Sequence, residues 1–205
     1  MKNKINYSLY LVTDRDVLVD VDIYTGVEEA IKGGVTVVQL REKKSGTLEF
    51  YNIAVEIKKI TDKYNVPLII NDRIDIAQAI DAAGVHLGQS DMPMDIARSI
   101  MGNNKIIGVS TSTLEQAKNA EMQGADYVGV GAMFITTTKD DTRAVSIQSL
   151  KEIKEGVSIP VVAIGGINEN NVDLLKIANV DGIAVVSDIL GKRCIQVAAE
   201  KLAVY

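Results

Sequence analysis

The 205-residue chain has one cysteine, one histidine, three prolines and no tryptophan. A lone cysteine, Cys194, has no partner for an internal disulfide and cannot build a thiolate zinc centre, so a reducing compartment is the default expectation. The lone histidine, His86, excludes any paired-histidine metal motif. Aromatic residues make up 4% of the chain, so a core has to be built from Val, Ile, Leu and Ala. Positive charge is not in excess either: 22 Lys and Arg against 27 Asp and Glu leave a net charge of −5, which argues against a nucleic-acid-binding surface. No apolar run approaches the roughly 20 residues of a membrane span, and Met1–Tyr7 is too polar for a signal peptide. These absences predict a cytoplasmic protein that engages neither membrane nor nucleic acid. What is present, 47% hydrophobic and 24% charged residues, is ordinary globular composition. The length suits one substantial core, so a single domain over residues 1–205 is expected.

Two patterns alternate along the chain. Short β-branched runs stand at Leu9–Thr13, Val35–Leu40, Val66–Ile70, Gly84–Leu87, Ile106–Ser110, Tyr127–Val130, Pro160–Ile164 and Gly182–Val186. They are continuously apolar, as strands buried on both faces of a parallel sheet are. Segments with helical spacing lie between them. Thr47–Tyr64 is the clearest, with Phe50, Ile53, Ile57, Ile60 and Tyr64 recurring at three- and four-residue steps. Ser112-Thr113-Leu114-Glu115 reads as a capping box, and Pro93 suits a first helical turn. About eight β–α units at even spacing predict an α/β fold, a single (β/α)8 TIM barrel, in preference to an open doubly wound sheet. Cys194, with Val197, Ala198 and Leu202, is expected on a buried helical stripe.

In such barrels the chemistry sits where strands end. The runs here end in Gln39-Leu40-Arg41-Glu42-Lys43, Asn71-Asp72-Arg73, Gly88-Gln89-Ser90-Asp91, Ser110-Thr111-Ser112-Thr113, Thr136-Thr137-Thr138-Lys139, Gly165-Gly166 and Val186-Ser187-Asp188. Gly165-Gly166 and Ser187 follow strands seven and eight, where barrels commonly bind phosphate. Phosphate binding and a tight turn that needs glycine are the two readings there. Arg41, Lys43 and Lys139 are rim cations that a bound polyanion explains, or else solvated loop residues. Asp72 and Asp91 end adjacent strands. They can share Mg²⁺ with substrate phosphates, or each can cap a helix. His86 lies inside a strand and reads as a packed, hydrogen-bonded side chain rather than a general base. Together these residues describe a barrel that binds phosphorylated anions with Mg²⁺ and assists departure of phosphate or diphosphate electrostatically, without a nucleophilic triad.

The strand-end motifs resemble those of the thiamine phosphate synthase (thiamine phosphate pyrophosphorylase) family. The likeness runs from Leu9-Tyr10-Leu11-Val12-Thr13-Asp14 to Val186-Ser187-Asp188, and includes Gly84-Val85-His86-Leu87-Gly88-Gln89-Ser90-Asp91. The resemblance implies a transferase of thiamine biosynthesis. It would join 4-amino-2-methyl-5-hydroxymethylpyrimidine diphosphate to 4-methyl-5-hydroxyethylthiazole phosphate, giving thiamine phosphate and diphosphate. It implies that Gln39, Arg41, Lys43, Asn71, Ser110 and Lys139 hold the pyrimidine diphosphate, and that Asp72 and Asp91 ligate Mg²⁺. Thr136, Thr138, Gly166, Val186 and Ser187 would hold the thiazole phosphate. The implied mechanism is dissociative: diphosphate leaves, a pyrimidine-methyl cation forms, and the thiazole nitrogen attacks it. Arg41, Lys43 and Lys139 would stabilise the leaving group.

Three positions depart from the family pattern. Ser112 stands where the family often has histidine, and Ala132 and Ile135 stand where it usually has prolines. A thiazole tautomerase on the same barrel, a non-catalytic sensor of thiamine precursors, and an unrelated sugar-phosphate barrel enzyme are the rival readings. The tautomerase would call for a rim histidine. Small molecules are the expected partners, and a homo-oligomer is left open.

Overall fold

The computed structural model describes residues 5–135 and 145–204. Among these, eight parallel strands follow one another in chain order around a closed barrel, with β8 pairing back onto β1. The strands are β1 (Leu9–Val12), β2 (Val37–Leu40), β3 (Leu68–Asn71), β4 (Gly84–Leu87), β5 (Ile106–Thr111), β6 (Tyr127–Val130), β7 (Val161–Ile164) and β8 (Gly182–Val185). The outer ring holds α1 (Ile23–Lys32), α2 (Thr47–Lys63), α3 (Ile74–Ala79), α4 (Met94–Met101), α5 (Leu114–Met122) and α6 (Ile147–Gly156). A 3₁₀ segment, Val172–Ala178, makes the crossover from β7 to β8, where an α-helix is the expectation for a repeated unit. The short α7 (Ser187–Leu190) and α8 (Ile195–Ala203) follow β8.

The continuous apolar runs have the physical cause expected of them, because alternate residues serve two different cores. Leu9, Leu11, Val38, Leu40, Leu68, Ile70, Val85 and Leu87 point outward and pack under the helices. Tyr10, Val12, Val37, Ile69, Ile106, Tyr127, Val162 and Ala184 point inward and fill the barrel. The helix α2 buries Phe50, Ile53, Ala54 and Ile57, with Ile60 and Tyr64 packed at the edge of the same core.

Three local expectations are corrected. The cap of α5 is Thr113, one residue later than the Ser112 capping box: Thr113 Oγ1 accepts from the Gln116 amide. Gln116 then reaches back to the Ser112 amide at 2.8 Å. Pro93 sits at the N-cap of α4, just outside the first turn. Cys194 is exposed and precedes α8, whose buried stripe is Ile195, Ala199 and Leu202. The stripe is therefore displaced from the Cys194-Val197-Ala198 spacing, and Val197 faces outward.

The two barrel faces are built differently. Before β6, Asp126 accepts from the Ile107 amide at 2.8 Å and pairs with Arg98 at 2.6 Å. Before β8, Asp181 accepts from the Val161 amide at 2.7 Å and pairs with Lys154 at 2.5 Å. The same device, an aspartate tying the start of the preceding strand to a helix cation, closes the face opposite the strand-end rim.

Candidate active site

At the C-terminal ends of the strands a cavity of about 470 Å³ opens into the barrel mouth. Gln39, Arg41 and Lys43 reach it from β2 and the loop after it, Asn71 and Asp72 from β3, Asp91 after β4, and Ser110 from β5. Gly166, Val186 and Ser187 line it from the ends of β7 and β8. The structure thus brings together every described residue that the sequence assigns to the site. Thr136, Thr138 and Lys139 lie outside the described residues.

Strand alternation decides which residues of each motif face the cavity. In the motif after β2, Arg41 and Lys43 line it while Glu42 turns away. There Glu42 accepts from Arg15 and Ser45, each at 2.8 Å, with its side chain almost fully buried. Arg15 also bonds Glu49 at 2.9 Å and Ser45 at 2.7 Å. This network braces the loop that carries both cations. The backbone amide of Arg41 donates to Thr13 Oγ1 at 3.0 Å, and its guanidinium lies 3.3 Å from Asp14. The arginine is held by the end of β1, a support that the sequence reading missed. Arg73 likewise turns outward, to Asp75 and Thr47.

Asp72 has a left-handed backbone, with φ of +59°, an uncommon conformation for a residue other than glycine. Its amide is tied to the His86 carbonyl at 2.9 Å. The carboxylate contacts Lys43 Nζ. Burial raises the Asp72 carboxyl above its ordinary value; the Lys43 ammonium draws it down, and the adjoining Asp91 carboxylate pushes it up. Asp91 accepts from the Gly88 amide at 2.6 Å. Neither aspartate caps its following helix, since α3 and α4 begin without a side-chain cap. A half-buried carboxylate with a second one adjoining it is a hard-oxygen pair that a divalent cation relieves, so the donor set fits Mg²⁺ completed by substrate oxygens and water. Among the described residues no group of three or more His, Cys, Asp or Glu side chains is arranged around a metal position, so any cation there would depend on ligands from elsewhere.

Gly165 and Gly166 both have positive φ, +103° and +65°. A Cβ on Gly165 would stand 2.6 Å from Ala132 Cβ, and one on Gly166 would stand 2.7 Å from the Ile135 carbonyl oxygen. The glycines are needed for the turn itself, and they line the cavity beside Val186 and Ser187. Turn geometry and ligand approach therefore make the same demand here.

The cavity floor holds residues that the sequence reading passed over. Tyr10 and Tyr127 are buried within the barrel yet border the cavity. His86 bonds Tyr127 and Ser110, each at 2.9 Å, as a packed histidine should. The overlooked signal was glycine inside strands, which marks close approach of another group. A Cβ on Gly108 would overlap the Tyr127 ring, and one on Gly129 would sit 3.1 Å from His86 Cε1. Gln89 ties the loop after β4 to the Ser110 carbonyl at 2.7 Å. Ser112 borders the cavity with its hydroxyl on Gln116 at 3.1 Å, so the place of a rim histidine is taken by a capping interaction.

Comparison with known proteins shows the family and the fold. A family model described as thiamine monophosphate synthase matches residues 9–189. The thiamine-phosphate synthase of Clostridium tetani is 59% identical over 203 residues, covering 98% of this chain and 97% of that protein. The thiamine-phosphate synthase of Methanobrevibacter smithii is 54% identical over 201 residues, covering 98% and 95%. The solved thiamine phosphate pyrophosphorylase of Pyrococcus furiosus superposes with a TM-score of 0.89 at 41% identity, covering 96% of this chain and 94% of that one. By its sequence along nearly its whole length, and by the superposition of its barrel on a solved relative, the chain belongs to the thiamine monophosphate synthase family.

Proposed function

We propose that this chain is a transferase of thiamine biosynthesis. It joins 4-amino-2-methyl-5-hydroxymethylpyrimidine diphosphate to 4-methyl-5-hydroxyethylthiazole phosphate, releasing diphosphate and giving thiamine phosphate. The observation that carries this reading is one continuous cavity with a cation and carboxylate wall on β2 to β4 and a glycine and serine wall on β7 and β8. One wall suits a diphosphate and the other a monophosphate, so the two substrates can face each other across a shared space.

In this reading Gln39, Arg41, Lys43, Asn71, Ser110 and Lys139 hold the pyrimidine diphosphate, with Arg41, Lys43 and Lys139 stabilising its leaving group. Thr136, Thr138, Gly166, Val186 and Ser187 hold the thiazole phosphate. Asp72 and Asp91 would hold Mg²⁺, which when bound supplies charge neutralisation for the diphosphate. Arg41 offers a planar fork to phosphate oxygens and Lys43 a mobile point charge. Both stabilise charge that grows as the C–O bond breaks, which makes their contribution larger in the transition state than in the ground state. The amino-substituted ring carries the resulting methyl cation, and the thiazole nitrogen attacks with its own lone pair. No general base is needed, consistent with a single histidine that is engaged in the barrel floor. Holding the rings in contact accounts for the remainder of the rate. Among the described residues no histidine stands at the rim position that a tautomerase would use, where Ser112 makes a capping contact instead.

The chain is read as one catalytic domain working in the cytoplasm on small molecules, as a monomer or a homo-oligomer. Among the described residues no helix is long and apolar enough to cross a membrane. The test is to mix purified protein with both substrates and Mg²⁺, and to detect thiamine phosphate as its fluorescent thiochrome. Product that requires both substrates is the expected result. Absence of product from protein that binds both would overturn the transferase reading in favour of a sensor.

A further inference from the structure

A continuous hydrogen-bonded chain crosses the cavity floor. Gln39 Nε2 donates to Tyr10 Oη at 2.8 Å, Tyr10 Oη meets Tyr127 Oη at 2.7 Å, Tyr127 Oη meets His86 Nδ1 at 2.9 Å, and His86 Nε2 meets Ser110 Oγ at 2.9 Å. Five strands contribute one residue each, β2, β1, β6, β4 and β5, joined by four links. The two ends, Gln39 and Ser110, are residues assigned to the pyrimidine diphosphate. The three middle members have no assigned role.

Each phenol has a single proton, and a neutral imidazole has one N–H and one bare nitrogen. Burial raises both tyrosines well above their ordinary values, so both stay protonated. With His86 neutral and each hydroxyl of the two buried tyrosines donating within the chain, the links all run one way. With Gln39 donating, Tyr10 must pass its proton to Tyr127, and Tyr127 must pass its proton to His86 Nδ1. The imidazole proton is thereby placed on Nε2, which donates to Ser110. Gln39 Oε1 is left as an acceptor for the ligand, and the Ser110 hydroxyl proton is left as a donor. If the Gln39 amide were turned over, every link would reverse, and the ends would become a donor at Gln39 and an acceptor at Ser110. In either setting the two ends take opposite roles within the chain, one leaving an acceptor and the other a donor for the ligand.

We propose that Tyr127, together with Tyr10 and His86, is a positioning relay that couples Gln39 to Ser110, so that the site reads an amino group and a ring nitrogen of the pyrimidine as one matched pair. The barrel makes room for the relay at Gly108 and Gly129, where a Cβ would press on Tyr127 and on His86. Strand glycines otherwise weaken a sheet, so their placement under these two rings is consistent with a built feature. Tyr7 adds a ring 4.8 Å from the Tyr127 ring, fixing its plane. The inference deepens the transferase reading and rests on it.

The test uses two unreactive ligands, the monophosphates of the hydroxymethylpyrimidine with its amino group and with hydrogen in its place. Wild-type protein is first shown to make thiamine phosphate; failure there would sink the functional reading, not the relay alone. Inhibition constants are then compared. A site that hydrogen-bonds the amino group should reject the analogue by at least about 30-fold in wild type. Tyr127→Phe keeps the ring and cuts the relay, and the preference should fall below about 5-fold while the KM for thiazole phosphate stays within about twofold. Tyr10→Phe cuts the same relay nearer Gln39 and serves equally if the first variant folds poorly. The double variant should be no worse than either single one, because a chain cut twice is no more interrupted than a chain cut once. A general loss of structure would weaken both ligands alike and leave their ratio intact. An unchanged ratio in either single variant, or losses that add in the double variant, would overturn the relay.

Discussion

Arg41 gathers three supports around one guanidinium: the Thr13 hydroxyl on its amide, Asp14 beside its side chain, and the Glu42–Arg15 pair under its loop. Such bracing matters because a preorganised cation need not be reoriented as the diphosphate departs. Arg41→Ala and Lys139→Ala are each expected to lower turnover at least about tenfold, or ~1.4 kcal/mol in the barrier. Steady-state kinetics at saturating substrates checks this, and unchanged rates in both variants would contradict the assigned roles. Gly166 makes a separate demand. A side chain there would be strained by the positive φ and would press on the Ile135 carbonyl. Gly166→Ala should raise the KM for thiazole phosphate about tenfold, the equivalent of ~1.4 kcal/mol, with a smaller change for the pyrimidine diphosphate. Equal effects on both substrates would remove Gly166 from the thiazole phosphate wall.

At the scale of the elements, strand period two sorts motif residues into site and scaffold. Gln39, Arg41 and Lys43 face one way, while Leu40 and Glu42 face the other. This split explains how much could be read in advance. The strands and the rim were legible because parallel strands buried on both faces give continuous apolar runs, and because the polar residues come directly after them. The floor was not legible, because Tyr10 and Tyr127 sit inside apolar runs and look like core. Their hydroxyl partners come from other strands, through contacts as distant in sequence as Tyr10 and Tyr127. The α8 stripe was misplaced because Cys194, Val197 and Ala198 are small or apolar and fit the wrong helical phase as readily as the right one. The opposite face of the barrel makes its own prediction. Arg98 on α4 donates to the carbonyls of Gly102, Lys105 and Gly124 and to Asp126. Arg98→Ala should cost roughly 2 to 3 kcal/mol of stability, the scale of losing charge-assisted hydrogen bonds, with both KM values unchanged. Urea unfolding measures the first, and an altered KM would show that the two faces are not independent.

Taken as a whole, the molecule is a barrel with one end closed by ion pairs and the other opened as a substrate cavity. The overall charge of −5 makes the clustering of Arg41 and Lys43 at that mouth a local feature rather than a general one. Asp72 and Asp91 stand beside those cations, and in the proposed reading they would hold Mg²⁺ against the substrate diphosphate. In the proposed reading chelation is expected to abolish turnover while leaving the thermal unfolding midpoint of the substrate-free protein nearly unchanged, because Asp72 and Asp91 lie at the rim, outside the two cores that hold the barrel together. The most direct test of the central claim, that this rim works by stabilising departing diphosphate, is a single-turnover rapid-quench measurement. Wild type, Arg41→Ala and Lys43→Ala would each be mixed with both substrates, once with Mg²⁺ and once with excess EDTA. The account predicts thiamine phosphate and diphosphate in equal amounts from wild type with Mg²⁺, a rate at least about tenfold lower in each variant, and no product with EDTA. Equal single-turnover rates in all three proteins, with or without the chelator, would contradict it.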